Sequence, residues 1–195
     1  MTGTHDARER LVAAAEELLM RSGPRAVSMD AAAAAAGAGK MSAYRHFDGR
    51  DDLVAAALER RRPRHLRWLL GPDAATGTDP AAPILAAFDR LESAAASDSF
   101  RGCPFVDAGL AAPASGGSRA AAVAWEHKED LMRELTALAG RAGLAEPDEL
   151  GAAVALVIDG CAAQAALAPD RAAREEIVRR GRRAARVLIA SVGRP

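Results

Sequence analysis

The chain has 195 residues, half of them hydrophobic and only 4% aromatic, and its 26 basic and 26 acidic side chains give a formal net charge of zero. This length suits one compact unit or a small module followed by a larger one. The balanced charge excludes a uniformly basic nucleic-acid-binding protein, although a local basic patch remains compatible with DNA binding. Alanine dominates and alternating Val/Ile/Thr runs are missing, so we expect an all-α protein.

The N-terminal sequence and the cysteines predict a cytoplasmic protein without a signal peptide. The N-terminus lacks a basic start followed by an apolar core. The longest apolar stretch, residues 150–168, is mostly alanine and contains Asp159 and Gln164, so we do not expect a membrane partner. Cys103 and Cys161 lie far apart in the sequence, and we expect two reduced thiols rather than a disulfide.

The first predicted helix covers residues 6–21 and has one apolar stripe. Its members recur at spacings of three and four: Leu11, Ala14, Ala15, Leu18 and Leu19. The sequence Ser22-Gly23-Pro24 is typical of a helix end. Ser28 is a favourable N-cap for a second, short helix that contains the alanines 31–36 and ends at Gly37-Ala38-Gly39. This segment therefore predicts two helices within the first forty or so residues.

Helices continue to the end of the chain. A third short helix is predicted at residues 40–47, and a fourth begins at Arg50 and continues past Pro63 to about residue 70. Residues 71–80 have the Gly/Pro-rich composition of a linker. Five further helices are predicted at residues 81–96, 104–111, 119–142, 148–167 and 170–192, separated by loops at 97–102, 113–118 and 143–147. The expected total is about nine helices.

Residues 28–53 carry the most informative pattern. Two short helices joined by a tight, glycine-containing turn form a helix-turn-helix arrangement, and the second helix is narrow enough for a DNA major groove, about 12 Å wide. Its side chains suit that groove because they include cations, hydrogen-bonding groups and an apolar contact for a thymine methyl: Lys40, Arg45, Ser42, Tyr44, His46 and Met41. Ordinary packing of Tyr44 and a solvated surface for the two cations are the alternatives.

The same region resembles the TetR/AcrR family of repressors, over about residues 8–58. The resemblance rests on the first helix and on Ala36-Gly37, Tyr44-Arg45-His46-Phe47, Arg50 and Asp51-Asp52-Leu53. The chain departs from the usual family pattern at four positions, where small or different residues replace Ile, Val, Leu or Gly: Ala32, Ala38, Ala43 and Met41. The first three departures remove buried apolar volume from the helix-turn-helix.

The resemblance implies a DNA-binding domain over residues 1–62 that recognises double-stranded operator DNA. Ser28 and Met29 would then lie near phosphates at the start of the second helix. Lys40, Met41 and Ser42 would read bases, and Tyr44, His46 and Arg50 would contact backbone phosphates. Helix starts and cationic or hydroxyl side chains are suited to phosphate on physical grounds as well.

The resemblance also implies that residues 63–195 bind an unidentified small-molecule effector and form a homodimer. Candidate effector contacts, chosen by residue type, are Phe88, Cys103, Phe105, Trp125, His127 and Met132. Core packing is the alternative for each of them, and Cys103, in the Gly-Cys-Pro sequence, could be a pocket thiol, a redox sensor or a buried hydrophobe. The four histidines lack paired spacing, so we expect no metal and no cofactor.

The last two helices carry the predicted dimer interface. One stripe consists of Leu150, Val154, Val157 and Cys161, and the other of Ile177, Gly181, Ala184, Leu188 and Val192. Small residues on such stripes allow close helix approach, and two helices from each chain would form a bundle. Completion of the monomer's own core is the alternative for both stripes.

The resemblance therefore implies a ligand-responsive transcription repressor. A nucleophile elbow, a Gly-rich phosphate loop and metal-ligand spacing are all missing from the sequence, so an enzyme is not expected. The alternative function is a helical interaction protein that has lost DNA binding.

Overall fold

The computed structural model describes residues 2–71, 79, 81–112 and 117–193. Over these residues the chain contains nine α-helices, one short 3-10 helix at Pro24–Ala26 and no β-strand, which confirms the all-α class. The α-helices are α1 (Thr2–Ser22), α2 (Met29–Ala35), α3 (Lys40–His46), α4 (Arg50–Leu70), α5 (Ala82–Ala95), α6 (Pro104–Leu110), α7 (Arg119–Arg141), α8 (Pro147–Leu167) and α9 (Arg171–Val192). Most of the predicted linker at 71–80 and of the loop at 113–118 lies outside the described residues.

Local sequence signals set the ends of these helices. Gly23 adopts a φ of 80°, a conformation that glycine tolerates best, and Pro24 then starts the 3-10 helix that the sequence analysis did not predict. At the other end of the chain, the Asp170 side chain accepts a hydrogen bond of 2.8 Å from the Ala173 N–H and caps α9. Helix α4 continues through Pro63 without interruption.

The chain divides into two compact units. Unit 1 comprises Met1–Arg64 and Pro104–His127, and unit 2 comprises His65–Cys103 and Lys128–Pro195. The first break lies close to the predicted boundary after residue 62. The second segment of unit 1, which contains α6 and the start of α7, was not part of the predicted linear division.

The core of unit 1 is apolar but also includes one ion cluster. Leu11 and Ala15 of α1 and Leu53 and Leu58 of α4 are fully buried. Glu16 of α1 is almost buried too, and its carboxylate accepts a 2.5 Å hydrogen bond from Arg64 of α4. Two further arginines of α4 lie within 3.4 Å of the same carboxylate: Arg60 and Arg61. A buried carboxylate requires such partners, so this cluster fixes α1 against α4.

The core of unit 2 is formed by α5, α8 and α9 and by the later turns of α7. Phe88 of α5 is fully buried, and α9 approaches it closely because Gly181 has no side chain. A Cβ at Gly181 would overlap the Cys161 sulfur of α8 and lie 3.4 Å from the Phe88 ring. Helix α8 has the length and apolarity of a membrane span, a property shared by core helices of globular proteins, and one of its faces lies in this core.

Candidate nucleic-acid interface

Helices α2 and α3 form the predicted helix-turn-helix through interactions that the sequence signals specify. The Ser28 hydroxyl accepts a 3.0 Å hydrogen bond from the Ala31 N–H and caps α2. Gly37 adopts a φ of 59°, which lets the Ala38 N–H donate to the Ala33 carbonyl at 2.9 Å and close the end of α2. The chain then turns directly into α3.

Alanines form the buried side of this motif. Ala32 of α2 and Ala43 of α3 are fully buried, at positions where the sequence departs from the family pattern. Phe47, which follows α3, is also buried, and the Arg8 guanidinium of α1 lies 5.2 Å from the centre of its ring. Small side chains at these sites leave Phe47 as the large apolar group that anchors the end of α3.

The opposite face of α3 is exposed and carries most of the predicted DNA contacts. Met41 is 73% exposed and Tyr44 is 50% exposed, although both are residue types that a protein core usually retains. Lys40 and Arg45 are exposed as well, whereas Ser42 and His46 are half-buried. The structure therefore brings cations, hydroxyls and an apolar side chain together on one solvent-facing helix.

Lys40 is held by an acidic partner from the preceding helix. Its ammonium nitrogen lies 3.0 Å from the Asp30 carboxylate of α2 and 6.0 Å from the centre of the Tyr44 ring. The hydrogen bond and the charge of Asp30 raise the pKa of Lys40 above its usual value. Lys40 therefore remains a cation throughout the physiological pH range.

Two predicted DNA contacts occupy different places from those expected. Met29 is buried in the unit 1 core, so its side chain packs rather than faces solvent, while Ser28 beside it is exposed. The guanidinium of Arg50 donates to two main-chain carbonyls, that of Val27 at 2.8 Å and that of Pro24 at 2.5 Å. The structure thus gives Arg50 a role in fixing the segment before α2, and its phosphate contact stays a prediction.

Replacing Arg50 with Ala should lower the free energy of unfolding by about 1.5–3 kcal/mol, because two charge-assisted hydrogen bonds are lost and two carbonyls lose a partner. Arg50→Lys should recover only part of this loss, because a single ammonium lacks the planar fork of the guanidinium. Urea denaturation followed by circular dichroism measures both changes. Equal stability of Arg50→Ala and the wild type would contradict the role of Arg50 in fixing the segment before α2.

The start of α7 is fixed to the start of α4 within unit 1. The Asp51 carboxylate of α4 accepts hydrogen bonds from the Ser118 hydroxyl at 2.6 Å and from the Arg119 main-chain N–H at 2.7 Å. The Arg119 guanidinium also bonds Asp52 and, at 2.9 Å, Glu59. Sequence reasoning missed this cluster because its partners are more than 50 residues apart and share no local pattern.

The candidate effector residues fall into several environments. Phe105 and His127 are brought together in unit 1, fully buried and stacked with ring centres 3.6 Å apart. In unit 2, the Lys128 ammonium lies 3.3 Å from the Cys103 sulfur and 2.6 Å from an Asp159 oxygen. The other three candidates lie in the unit 2 core or on the surface of α7: Phe88, Trp125 and Met132.

The predicted dimer stripes face mostly inward. Four of their residues are buried in the core of the chain itself: Leu150, Val154, Cys161 and Gly181. Four more are half-buried beside it, Val157, Ile177, Leu188 and Val192, and Ala184 alone among the nine stripe residues is exposed. The structure places the stripes in and beside the core of the chain, and their part in a dimer interface stays a prediction, because a 3.6-residue period does not tell which partner covers an apolar stripe.

Apolar residues outside the predicted stripes are exposed on α8 and, near Ala184 of the predicted stripe, on α9. On α8, Leu156 is 75% exposed and Leu167 is 86% exposed, and Ala163 between them is exposed too. On α9, Ala184 and Val187 are exposed, Val187 to 68%. Large apolar side chains exposed on two successive helices are the kind of surface that a partner protein covers when they lie together.

This fold defines a helix-turn-helix protein. Its exposed helix α3 has the size and the side chains of a helix that enters a DNA groove. The model of the tetR family of bacterial regulatory proteins matches residues 11–57. A Streptomyces avermitilis protein described as a tetR transcriptional regulator is 32% identical over 95% of this chain and 97% of its own, with a TM-score of 0.78. The chain therefore belongs to the tetR family and is a DNA-binding transcriptional regulator.

Two further solved structures share the fold. A TetR-family transcriptional regulator from Streptomyces coelicolor is 22% identical, covers 96% of this chain and 90% of its own, and has a TM-score of 0.78. The regulatory protein TetR from Rhodobacter sphaeroides is 24% identical, covers 91% and 97% respectively, and has a TM-score of 0.71. A comparison with curated protein sequences returned no match.

Proposed function

We propose that the protein is a cytoplasmic transcription repressor that binds operator DNA as a homodimer and is released by a small-molecule effector. The exposed face of α3 is the observation that carries this proposal. It presents Lys40, Met41, Tyr44 and Arg45 to solvent on a helix whose inner side is fixed by Ala43 and Phe47. Membership of a family of DNA-binding regulators supports the same use of α3. Catalysis is not part of the proposed function.

We assign residues to base contacts or to phosphate contacts by their position on α3. Lys40, Met41 and Ser42 lie in its first turn, which is the part of a recognition helix that meets base edges. Tyr44, Arg45 and His46 follow in the second turn, and with Ser28 we assign them to phosphate oxygens, which fix the register of the protein on the duplex. Arg50 acts through the carbonyls it holds and keeps α2 and α3 in place.

Homodimer formation is proposed because paired helix-turn-helix motifs read half-sites about 34–36 Å apart. The exposed face defined by Leu156, Ala163, Leu167, Ala184 and Val187 supports an interface on α8 and α9. Between Leu150 and Leu167, the only acidic or basic side chain of α8 is Asp159, which is half-buried and paired with Lys128. Two such helices from each chain would form a four-helix bundle.

Release by the effector requires a difference in DNA affinity between two conformations. Couplings of about 1–3 kcal/mol weaken DNA binding by about 5–150-fold. The Asp51 cluster supports the proposal, because it fixes the first turn of α7 to the first turn of α4, immediately after the helix-turn-helix. Screening small molecules by thermal shift, followed by DNA binding in the presence of each hit, tests this part. A protein whose hits never change its DNA affinity would not be a ligand-responsive regulator.

Lys40→Ala and Tyr44→Ala should each weaken operator binding by about fivefold or more, because each loses a DNA contact on the exposed face of α3. Binding is measured by fluorescence anisotropy over a salt series, first with duplexes that flank the gene. Arg171→Ala is the matched control, since it removes one exposed positive charge from α9. Unchanged affinity in both variants would show that α3 does not read DNA. A wild type that binds no duplex would favour the alternative, a helical interaction protein.

A further inference from the structure

Asp30 stands out on the surface assigned to DNA because it is an acidic group. Its carboxylate lies 3.0 Å from the Lys40 ammonium, and both side chains are more than half exposed. The pair joins the first turn of α2 to the first turn of α3. A carboxylate at this place repels DNA phosphates and occupies a cation that would otherwise attract them.

Helix stability accounts for only part of this arrangement. An acidic residue in the first turn of α2 is favourable because of the helix dipole. Ser28 already caps that helix through its hydroxyl, however, and the dipole does not explain why the carboxylate is bonded to a lysine ten residues further along the chain. The contact with Lys40 is therefore a separate feature, and it concerns the first residue of the recognition helix.

On the basis of the proposed DNA-binding function, we propose that Asp30 is a specificity-determining residue that keeps Lys40 from binding phosphates on arbitrary DNA. On non-specific duplexes the pair stays intact, and Lys40 neutralises no phosphate. On the operator, base-edge acceptors at a fixed position take the ammonium from Asp30. Asp30 thus lowers non-specific affinity and leaves the directed contact of Lys40 available.

Salt dependence distinguishes these two states of Lys40. The logarithm of the binding constant falls with the logarithm of salt concentration with a slope of about −0.9 for each phosphate that the protein neutralises. A lysine held by Asp30 adds nothing to this slope on non-specific DNA. If Asp30 no longer holds Lys40, the ammonium becomes a phosphate contact on every sequence, and the slope changes accordingly.

Asp30→Asn should strengthen binding to a random-sequence duplex by about two- to fivefold, the range expected from freeing one exposed ion pair. The salt slope on that duplex should steepen by about 0.9, while the slope on an operator selected from random duplexes stays as in the wild type. Glu17→Gln is the matched control, because it removes the same charge from an exposed pair on α1 and should leave the slopes unchanged. Thermal melts show that each variant is folded, and Asp30→Ser replaces Asp30→Asn if the latter is not.

The Lys40→Gln background separates the pairing from simple repulsion. If Asp30 acts through Lys40, Asp30→Asn leaves the salt slope unchanged in that background and raises non-specific affinity by less than it does with Lys40 present. An equal effect with and without Lys40 would overturn the proposal, as would an unchanged non-specific slope in Asp30→Asn. These outcomes leave DNA binding by the wild type intact, whereas a wild type that binds no duplex overturns the proposed function and this inference together.

Discussion

Replacing Leu156 with Glu is expected to turn the protein into a monomer and, with it, to remove tight operator binding. Leu156 is 75% exposed at the middle of the apolar face of α8, so the substitution leaves the unit 2 core untouched. In a two-fold dimer the change occurs twice, and each uncompensated charge in an interface costs about 3–5 kcal/mol. The dimer dissociation constant should therefore rise by at least about a hundredfold.

Light scattering on a size-exclusion column at micromolar concentration gives the mass of each variant, and anisotropy gives its operator affinity. Leu110→Glu is the matched control, because Leu110 is a leucine at the end of α6 that is 83% exposed and outside the proposed interface. It should remain a dimer that binds DNA. If Leu156→Glu remained a dimer, the interface could not lie on this face of α8. If the wild type were a monomer, the proposed homodimer itself would be wrong.

The order and ends of the helices could be predicted because local chemistry sets them. Ser28 caps α2, Gly37 closes it with a positive φ, and Asp170 caps α9. Each of these effects acts within a few residues and is therefore visible in the sequence. The same is true of the exposed and buried sides of α3, because a single amphipathic turn places Ala43 inward and Met41 outward.

The partners of these helices could not be predicted in the same way. Helix α8 is apolar on every side, so its hydrophobic pattern does not distinguish the core face with Val154 from the exposed face with Leu156. The partner of Arg50 could not be predicted either, since a guanidinium can bind a phosphate or a carbonyl. In the structure the Val27 carbonyl lies close enough to accept its hydrogen bond. The Asp51 cluster depends in the same way on distant chain segments.

Phe88 illustrates how burial changes the interpretation of a residue. As an aromatic residue in a middle helix it was a reasonable candidate for effector binding. In the structure its ring is fully buried in α5, beside the point where Gly181 lets α9 approach. Trp125, a candidate of the same kind, is 66% exposed on α7. Truncation should therefore destabilise the protein strongly at Phe88 and hardly at all at Trp125.

Phe88→Ala should lower the free energy of unfolding by about 3–5 kcal/mol, because it removes a buried ring and leaves a cavity that α9 cannot easily fill. Trp125→Ala should change it by less than about 0.5 kcal/mol, since an exposed side chain loses few contacts. Urea denaturation at one fixed protein concentration measures both, because unfolding of a dimer depends on concentration. If Phe88→Ala left the free energy of unfolding almost unchanged, the ring would line a cavity rather than fill the core. Phe88 would then again be a candidate for effector binding. A loss of the expected size makes Phe88 part of the rigid packing through which α5 holds α9.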